Sequence, residues 1–134
     1  MIRSVLAVIT GYVLTAAIVI ACTFLAAKFL IPEEATEPPR TYLVVNIAYS
    51  LLAAVAGGYL TARIARRAPL AHAGALAMVI VTIGAATMSG GPQGAASVFG
   101  WGIVGLGVIG SLAGGVVRAA QVRPPDRDSQ EMSV

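Results

Sequence analysis

Basic side chains that could bind an anionic group lie close together near the middle of the chain. They are three arginines and the only histidine of the sequence: Arg63, Arg66, Arg67 and His72. Arginine binds phosphate groups well, and a basic cluster at a membrane surface attracts anionic lipid headgroups. The cluster therefore predicts an anionic lipid contact, although an ordinary group of charges between two membrane spans, with an interfacial histidine, is the simpler interpretation.

A second group of polar residues could form a small pocket. Asn46, Tyr49 and Ser50 lie three and four residues apart, which puts them on one face of a helix. A buried carboxamide must find hydrogen-bond partners, so this face could bind a small solute or a quinone-like headgroup. Hydrogen bonds between helices explain the same residues equally well.

The sequence contains none of the motifs that mark the common enzyme classes. Its single cysteine can form neither an internal disulfide nor a CxxC pair. No GxSxG, HExxH or P-loop pattern occurs. We therefore expect a protein that is not an enzyme and that holds no metal and no cofactor.

The charges of the chain are confined to a few places. Residues 4–27, 41–62 and 68–117 contain no Asp, Glu, Lys or Arg. A charged side chain at the centre of a bilayer costs about 2.5–3.5 kcal/mol, and about 20 apolar residues span the bilayer core as a helix. The three stretches therefore predict membrane-spanning helices.

The third stretch is too long for one crossing. As a single helix it would extend about 75 Å, against a hydrocarbon core of about 30 Å. Only the glycine- and proline-containing segment at residues 89–94 could break it. The sequence thus predicts an all-α, up-down bundle of four helices in one transmembrane domain (1–120), followed by a cytoplasmic tail (121–134) that is disordered on its own. The expected helices are about 3–30, 41–66, 70–89 and 97–120.

The distribution of basic residues predicts one orientation. With the N-terminus in the cytoplasm, Lys28 and Arg40 lie outside and all the other basic residues lie inside. The inner residues are Arg3, Arg63, Arg66, Arg67, Arg118, Arg123 and Arg127. This asymmetry follows the positive-inside rule, so the net charge of +3 does not indicate a nucleic-acid partner. Both termini are expected in the cytoplasm.

Small residues recur at helical spacing on three of the predicted helices, where they would let helix backbones approach closely. The set is Gly11, Thr15, Ser50, Ala54, Gly58, Ala62, Gly107, Ser111, Gly114 and Gly115. Packing within the bundle is the simpler explanation, and a dimer interface is the alternative. The fourth helix also carries Gly102 and Gly105 on another face. This second face predicts a protein partner or self-association through the fourth helix.

The second and fourth predicted helices share an Ala-Gly-Gly sequence near their C-terminal ends, at residues 56–58 and 113–115. The offset of 57 residues would fit a tandem duplication of a hairpin, giving a parallel repeat. Coincidence in a chain rich in alanine and glycine explains it as well.

The hairpin of residues 57–73, with the sequence GGYLTARIARRAPLAHA, resembles one common in small four-helix bacterial membrane proteins of unknown function. The resemblance implies a bacterial inner (cytoplasmic) membrane and transfers no site residue. A small multidrug-resistance exporter would carry a membrane-embedded glutamate in its first helix. Since the first predicted span has none, that family is disfavoured.

The predicted spans also constrain the function. Coupled transport generally uses an ionisable group inside the membrane, and none interrupts these spans. We therefore expect a structural or interaction subunit of a membrane assembly, or a homo-oligomer. A small-solute or ion pathway through the bundle or its oligomer is the alternative.

Overall fold

The chain folds into four helices in a computed structural model that describes residues 2–35, 37–65, 68–89 and 95–122. They are α1 (Ile2–Leu30), α2 (Arg40–Ala65), α3 (Pro69–Ser89) and α4 (Ala95–Val122). Each is long and apolar enough to cross a membrane, with Val98–Val122 as the candidate span of α4. The described part of the chain is therefore all-α and has the character of a multi-pass membrane protein.

The observed helix bounds lie within two residues of the expected ones. The largest difference is in α4, which continues through Gln121 and Val122 into the segment that was expected to be a tail. Gln121 holds this last turn, because its Oε1 accepts hydrogen bonds from Tyr59 Oη at 3.0 Å and from Arg118 Nη1 at 3.4 Å. The rest of the expected tail, residues 123–134, lies outside the described residues.

Prolines and local hydrogen bonds define the helix ends. Pro32 follows α1, where the Ile31 amide still donates to Ala27 O at 3.1 Å. Pro39 immediately precedes α2, and its carbonyl oxygen accepts from the Leu43 amide at 3.2 Å. At the start of α3 the missing N–H of Pro69 costs nothing, because the first helical amides have no partner within the helix.

The contacts between helices give their relative directions. Arg3 Nε donates to Ile64 O at 3.2 Å, and Thr23 Oγ1 lies 2.7 Å from Tyr49 Oη, so α1 and α2 run antiparallel. Contacts of Gly84 with Val104 and of Gly115 with Ala73 make α3 and α4 antiparallel as well. The two hairpins meet chiefly through α2 and α4, which run parallel.

The four helices do not contact one another equally. Helix α2 has its largest contacts with α4 and α1, and α4 also packs broadly on α3. Smaller contacts join α3 to α2 and to α1, while within the described residues the backbones of α1 and α4 do not approach each other closely. The helices therefore form a ring in the order α1, α2, α4, α3, with α1 and α4 on opposite sides.

Small residues fill the interior, and large apolar side chains lie outside. The largest fully buried side chains are Leu76, Thr61 and Ser111. Phe24 and Phe29, in contrast, are 72% and 76% exposed. This distribution suits a bilayer, where lipid solvates large apolar groups and helix association depends on close backbone approach.

Candidate functional site

Helices α1 and α2 meet at two facing glycines. A Cβ on Gly11 would overlap Thr61 Oγ1 and lie 2.8 Å from the Gly57 carbonyl oxygen. A Cβ on Gly57 would overlap Thr15 Oγ1 and lie 2.8 Å from the Gly11 carbonyl oxygen. The Thr15 hydroxyl donates to the Gly11 carbonyl oxygen at 2.9 Å, with Ala53 O of α2 3.4 Å away. Thr61 is fully buried, and its hydroxyl has no hydrogen-bond partner among the described residues.

The parallel contact between α2 and α4 is also a backbone contact. A Cβ on Gly58 would overlap the Ser111 carbonyl oxygen and come within 2.6 Å of the Ser111 Cα. A Cβ on Gly114 would overlap the Val55 carbonyl oxygen and come within 2.6 Å of the Tyr59 amide nitrogen. Neither helix can accommodate a larger residue at these points unless the two backbones separate.

Two further predicted packing residues of α4 face α3 instead. A Cβ on Gly107 would lie 2.9 Å from Ile80 Cγ2, and one on Gly115 would overlap Ala73 Cβ. The Ile80 side chain can move by a change of rotamer, whereas Ala73 Cβ is fixed to its own backbone. The predicted set on α4 therefore serves two neighbouring helices, with Ser111 and Gly114 toward α2 and Gly107 and Gly115 toward α3.

The remaining predicted packing residues lie on α2 and are buried. Ser50 is 5% exposed, while Ala54 and Ala62 are each 1% exposed. The Ala54 methyl carbon would lie 2.7 Å from a Cβ on Gly110 of α4. Ala54 and Gly58 thus meet α4 on one face of α2, while Gly57 turns toward α1.

The structure joins the predicted polar pocket residues into one hydrogen-bonded chain. Tyr49 Oη lies 2.7 Å from Thr23 Oγ1 of α1 and accepts from Asn46 Nδ2. Ser50 Oγ donates to Asn46 Oδ1 at 3.4 Å. The polar groups of Asn46 and Tyr49 are therefore bonded to one another and to α1, and this chain links the two helices of the first hairpin.

The predicted basic cluster is described only in part. Arg63 is exposed near the end of α2, and His72 lies in the first turn of α3, where its Nδ1 is 3.0 Å from the Ala68 carbonyl oxygen. Arg66 and Arg67 lie outside the described residues. The described members show no contact with each other that would define a headgroup site.

A cavity of about 370 Å³ lies between the four helices and is partly open at the surface of the bundle. Its walls are mostly aliphatic and include Val19 of α1, Ile80 and Ile83 of α3, and Ile103 and Val104 of α4. No Asp, Glu, Lys or Arg lines it. The sequence gives no signal for this cavity, because it arises from the separation of α1 and α4.

Four hydroxyl-bearing residues also line the cavity, but most of their hydroxyls are already bonded. Thr15 and Thr87 donate to carbonyl oxygens of their own helices, and Ser50 donates to Asn46. The Tyr12 hydroxyl makes no hydrogen bond with another described residue. Since the protein satisfies most of these groups itself, the walls are largely apolar in effect.

Two glycines of α4 lie apart from all of these contacts. Gly102 and Gly105 are exposed, and a Cβ added to either would meet no atom within 4 Å. Val98 and Ile109, one turn before and after the pair, are 74% and 62% exposed. This face of α4 is apolar and points away from the bundle.

Two residues of these contacts, Gly57 and Thr61, lie outside the predicted packing set, although each meets a neighbouring helix. Their signal is the Gly-x-x-x-Thr spacing of Gly57 and Thr61, which repeats that of Gly11 and Thr15. Only the antiparallel pairing of α1 and α2 shows that the two spacings face each other.

In the part of the chain that the structure describes, no group of three or more His, Cys, Asp or Glu side chains could hold a metal ion. Comparisons with protein-family models, with curated proteins and with solved structures find no match to this chain. Proposals about its function therefore depend on its helix contacts, its cavity and its exposed faces.

Proposed function

We propose that this protein is a non-catalytic subunit of a bacterial inner-membrane assembly, built from copies of itself that associate through the outward face of α4. The observation that carries the proposal is the open glycine pair, Gly102 and Gly105. Glycine lowers helix propensity by about 1 kcal/mol in water, and membrane helices use it where two backbones approach. The other glycines of α4 each meet an atom of the bundle within 4 Å, so this pair alone has no intramolecular contact.

A second copy of the chain suits this face because the face is complementary to itself. The exposed Val98 and Ile109 stand on either side of the notch left by the glycine pair. Two copies related by a two-fold axis along the membrane normal would bring the glycine pairs of their α4 helices opposite each other at the same depth, giving an isologous interface. Close approach of the two α4 backbones would then replace lipid by van der Waals contacts.

The proposed arrangement is an up-down bundle with both termini in the cytoplasm. Its support is the charge pattern. Arg63 and Arg118 lie near the C-terminal ends of α2 and α4, at one end of the bundle. Lys28 lies in the last turn of α1, at the other end. To test it, single cysteines at Glu34 and Ser129 in a Cys22→Ser background are labelled in intact cells with an impermeant maleimide. We expect labelling at position 34 and protection at 129; the reverse pattern would overturn the orientation.

The assembly is tested by native mass spectrometry of the full chain in mild detergent. We expect wild type to appear as an oligomer, and Gly102→Leu and Gly105→Leu to appear as inserted monomers. Gly74→Leu is the matched control, because Gly74 of α3 also has no atom within 4 Å of an added Cβ. A wild-type chain that is monomeric would contradict the proposal. Loss of the oligomer in all three variants would place the contact elsewhere.

The alternative function, a small-solute or ion pathway, is favoured by the cavity alone. Its aliphatic walls offer little to a hydrated ion, because the ion would lose its water without gaining ligands. A pathway requires flux in liposomes that responds to Asn46→Leu, since this amide anchors the polar chain beside the cavity-lining Ser50. A subunit without transport function gives no flux in wild type or variant.

A further inference from the structure

We propose that the cavity between the helices is a binding site for one hydrocarbon chain of a membrane phospholipid. The site is separate from the proposed self-association face. It is lined from inside the ring, by residues such as Ile103 and Val104 of α4, whereas Gly102 and Gly105 lie on the exposed face. A bound chain would fill space inside each protomer whether or not the protomers associate.

The chemistry of the walls selects an apolar occupant. Val19, Ile80, Ile83, Ile103 and Val104 present hydrocarbon to the cavity. Most of the hydroxyl groups around it are bonded within the protein, so they offer few free donors to a polar ligand. If this half-open cavity stayed empty, its lining atoms would forfeit van der Waals contacts. A flexible methylene chain restores these contacts without the desolvation that a polar solute would require.

The position of the cavity gives a lipid chain access. All of its lining residues fall within the charge-free stretches, which places it at the depth of the hydrocarbon core. Helices α1 and α4 form opposite walls whose backbones do not approach closely in the described residues, while α1 and α3 share only a small contact. A chain from the surrounding bilayer can therefore enter from the side without leaving the apolar region.

The size of the cavity fits one chain and not a whole lipid. Its volume of about 370 Å³ lies near the lower limit of ligand pockets, which range over about 300–1,000 Å³. Along α1 it extends from Tyr12 to Ile20, about 12 Å at ~1.5 Å per residue.

Matched substitutions on two walls can separate this site from the lipid that coats the outer surface. Ala16→Phe on α1 and Thr87→Phe on α3 place a ring in the cavity, since both residues line it. Ala17→Phe and Ala86→Phe add the same bulk one residue away, at exposed positions outside the lining. Ile83→Ala enlarges the cavity and serves as a further control.

The experiment is native mass spectrometry of the full chain, delipidated in detergent and then re-exposed to a phosphatidylethanolamine of defined acyl chains. We expect wild type, both control variants and Ile83→Ala to retain one phospholipid per protomer, and the two filling variants to retain at least fivefold less. The rate of Cys22 alkylation shows whether each variant keeps the wild-type fold, because this thiol, the only one of the sequence, is half-buried in α1.

Three results would overturn the proposal. The first is wild type without a retained phospholipid. The second is equal retention by filling and control variants, which would place the lipid on the outer surface. The third is a co-purified molecule that survives delipidation and whose mass identifies another class of ligand, such as an isoprenoid carrier. Each result leaves the self-association test unaffected, because that test uses the opposite face of α4.

Discussion

Gly11 of α1 and Gly57 of α2 face each other so that each carbonyl oxygen lies 2.8 Å from the position that a Cβ on the other would take. The threonine one turn after each glycine contacts the glycine of the other helix: Thr15 Oγ1 lies against Gly57, and Thr61 Oγ1 lies against Gly11. Such proximity of oxygen atoms to a glycine Cα is the geometry of Cα–H···O contacts between helices. The first hairpin is therefore joined by an approximately symmetric contact at which neither helix has room for a side chain.

Substitution of either facing glycine is expected to destabilise the hairpin. In Gly11→Ala or Gly57→Ala the new methyl group would meet a backbone oxygen, and overpacking of this kind costs about 1–3 kcal/mol. Gly74→Ala is the control, because its Cβ meets no atom and alanine favours a helix over glycine by about 1 kcal/mol. SDS-induced unfolding in mixed micelles measures all three. Equal midpoints for Gly11→Ala and Gly74→Ala would contradict the proposed close contact.

The glycines of α4 should differ in their tolerance of alanine according to what they face. Gly114→Ala would drive a methyl group into the backbone of α2 at Val55, whereas Gly107→Ala would meet the movable Ile80 side chain. We expect the free energy of unfolding to fall by about 3 kcal/mol or more in Gly114→Ala and by about 1 kcal/mol in Gly107→Ala, because a side chain can relax and a backbone cannot. The same unfolding assay ranks the two variants, and a larger loss for Gly107→Ala would contradict the close contact of Gly114 with the backbone of α2.

The helix ends could be predicted from the sequence because their signals are local. The ends of α1, α2 and α3 that are predicted from charges, prolines and the glycine-containing segment at residues 89–94 agree with the observed ends within one residue. These signals do not depend on the arrangement of the helices. The direction of each small residue is different, because one step along a helix turns a side chain by about 100°. Gly57 and Gly58 are neighbours in sequence, yet one faces α1 and the other faces α4.

The predicted tandem repeat also shows that the sequence does not indicate which neighbouring helix a small residue faces. At an offset of 57 residues Gly57 aligns with Gly114, but Gly57 meets α1, its hairpin partner, whereas Gly114 meets α2 of the other hairpin. The two aligned glycines thus occupy different environments. The cavity could not be predicted from the sequence, because it depends on the distance between α1 and α4, and no sequence pattern indicates that distance.

Tyr49 is expected to couple α1 to α2 through its hydroxyl group. Tyr49→Phe removes the bonds to Thr23 and Asn46, and hydrogen bonds between membrane helices contribute about 0.6–2 kcal/mol each. A double-mutant cycle of Tyr49→Phe with Thr23→Val isolates the bond between the helices. We expect a coupling energy of about 0.6 kcal/mol or more. Additive losses would mean that the two hydroxyls do not interact in the membrane.

Ala68 precedes α3 in a left-handed backbone conformation with φ of 47°, which costs an L-residue about 1–2 kcal/mol relative to the right-handed region. Its carbonyl oxygen nonetheless accepts from the amides of Ala71 and His72 at 3.1 and 3.3 Å, so the first turn of α3 depends on this geometry. Ala68→Gly should relieve the strain and stabilise the protein, by about 0.5–1 kcal/mol after the extra entropy that glycine gives the unfolded chain.

Ala71→Gly provides the opposite case three residues further on. Ala71 is exposed in the first turn of α3, where the same chemical change removes a good helix former and should destabilise by about 0.5–1 kcal/mol. The two variants have identical composition, so a difference in their unfolding midpoints reports the backbone conformation at position 68 alone. If Ala68→Gly lowers the midpoint as much as Ala71→Gly does, residue 68 is not in the left-handed region when the protein is in a bilayer or micelle.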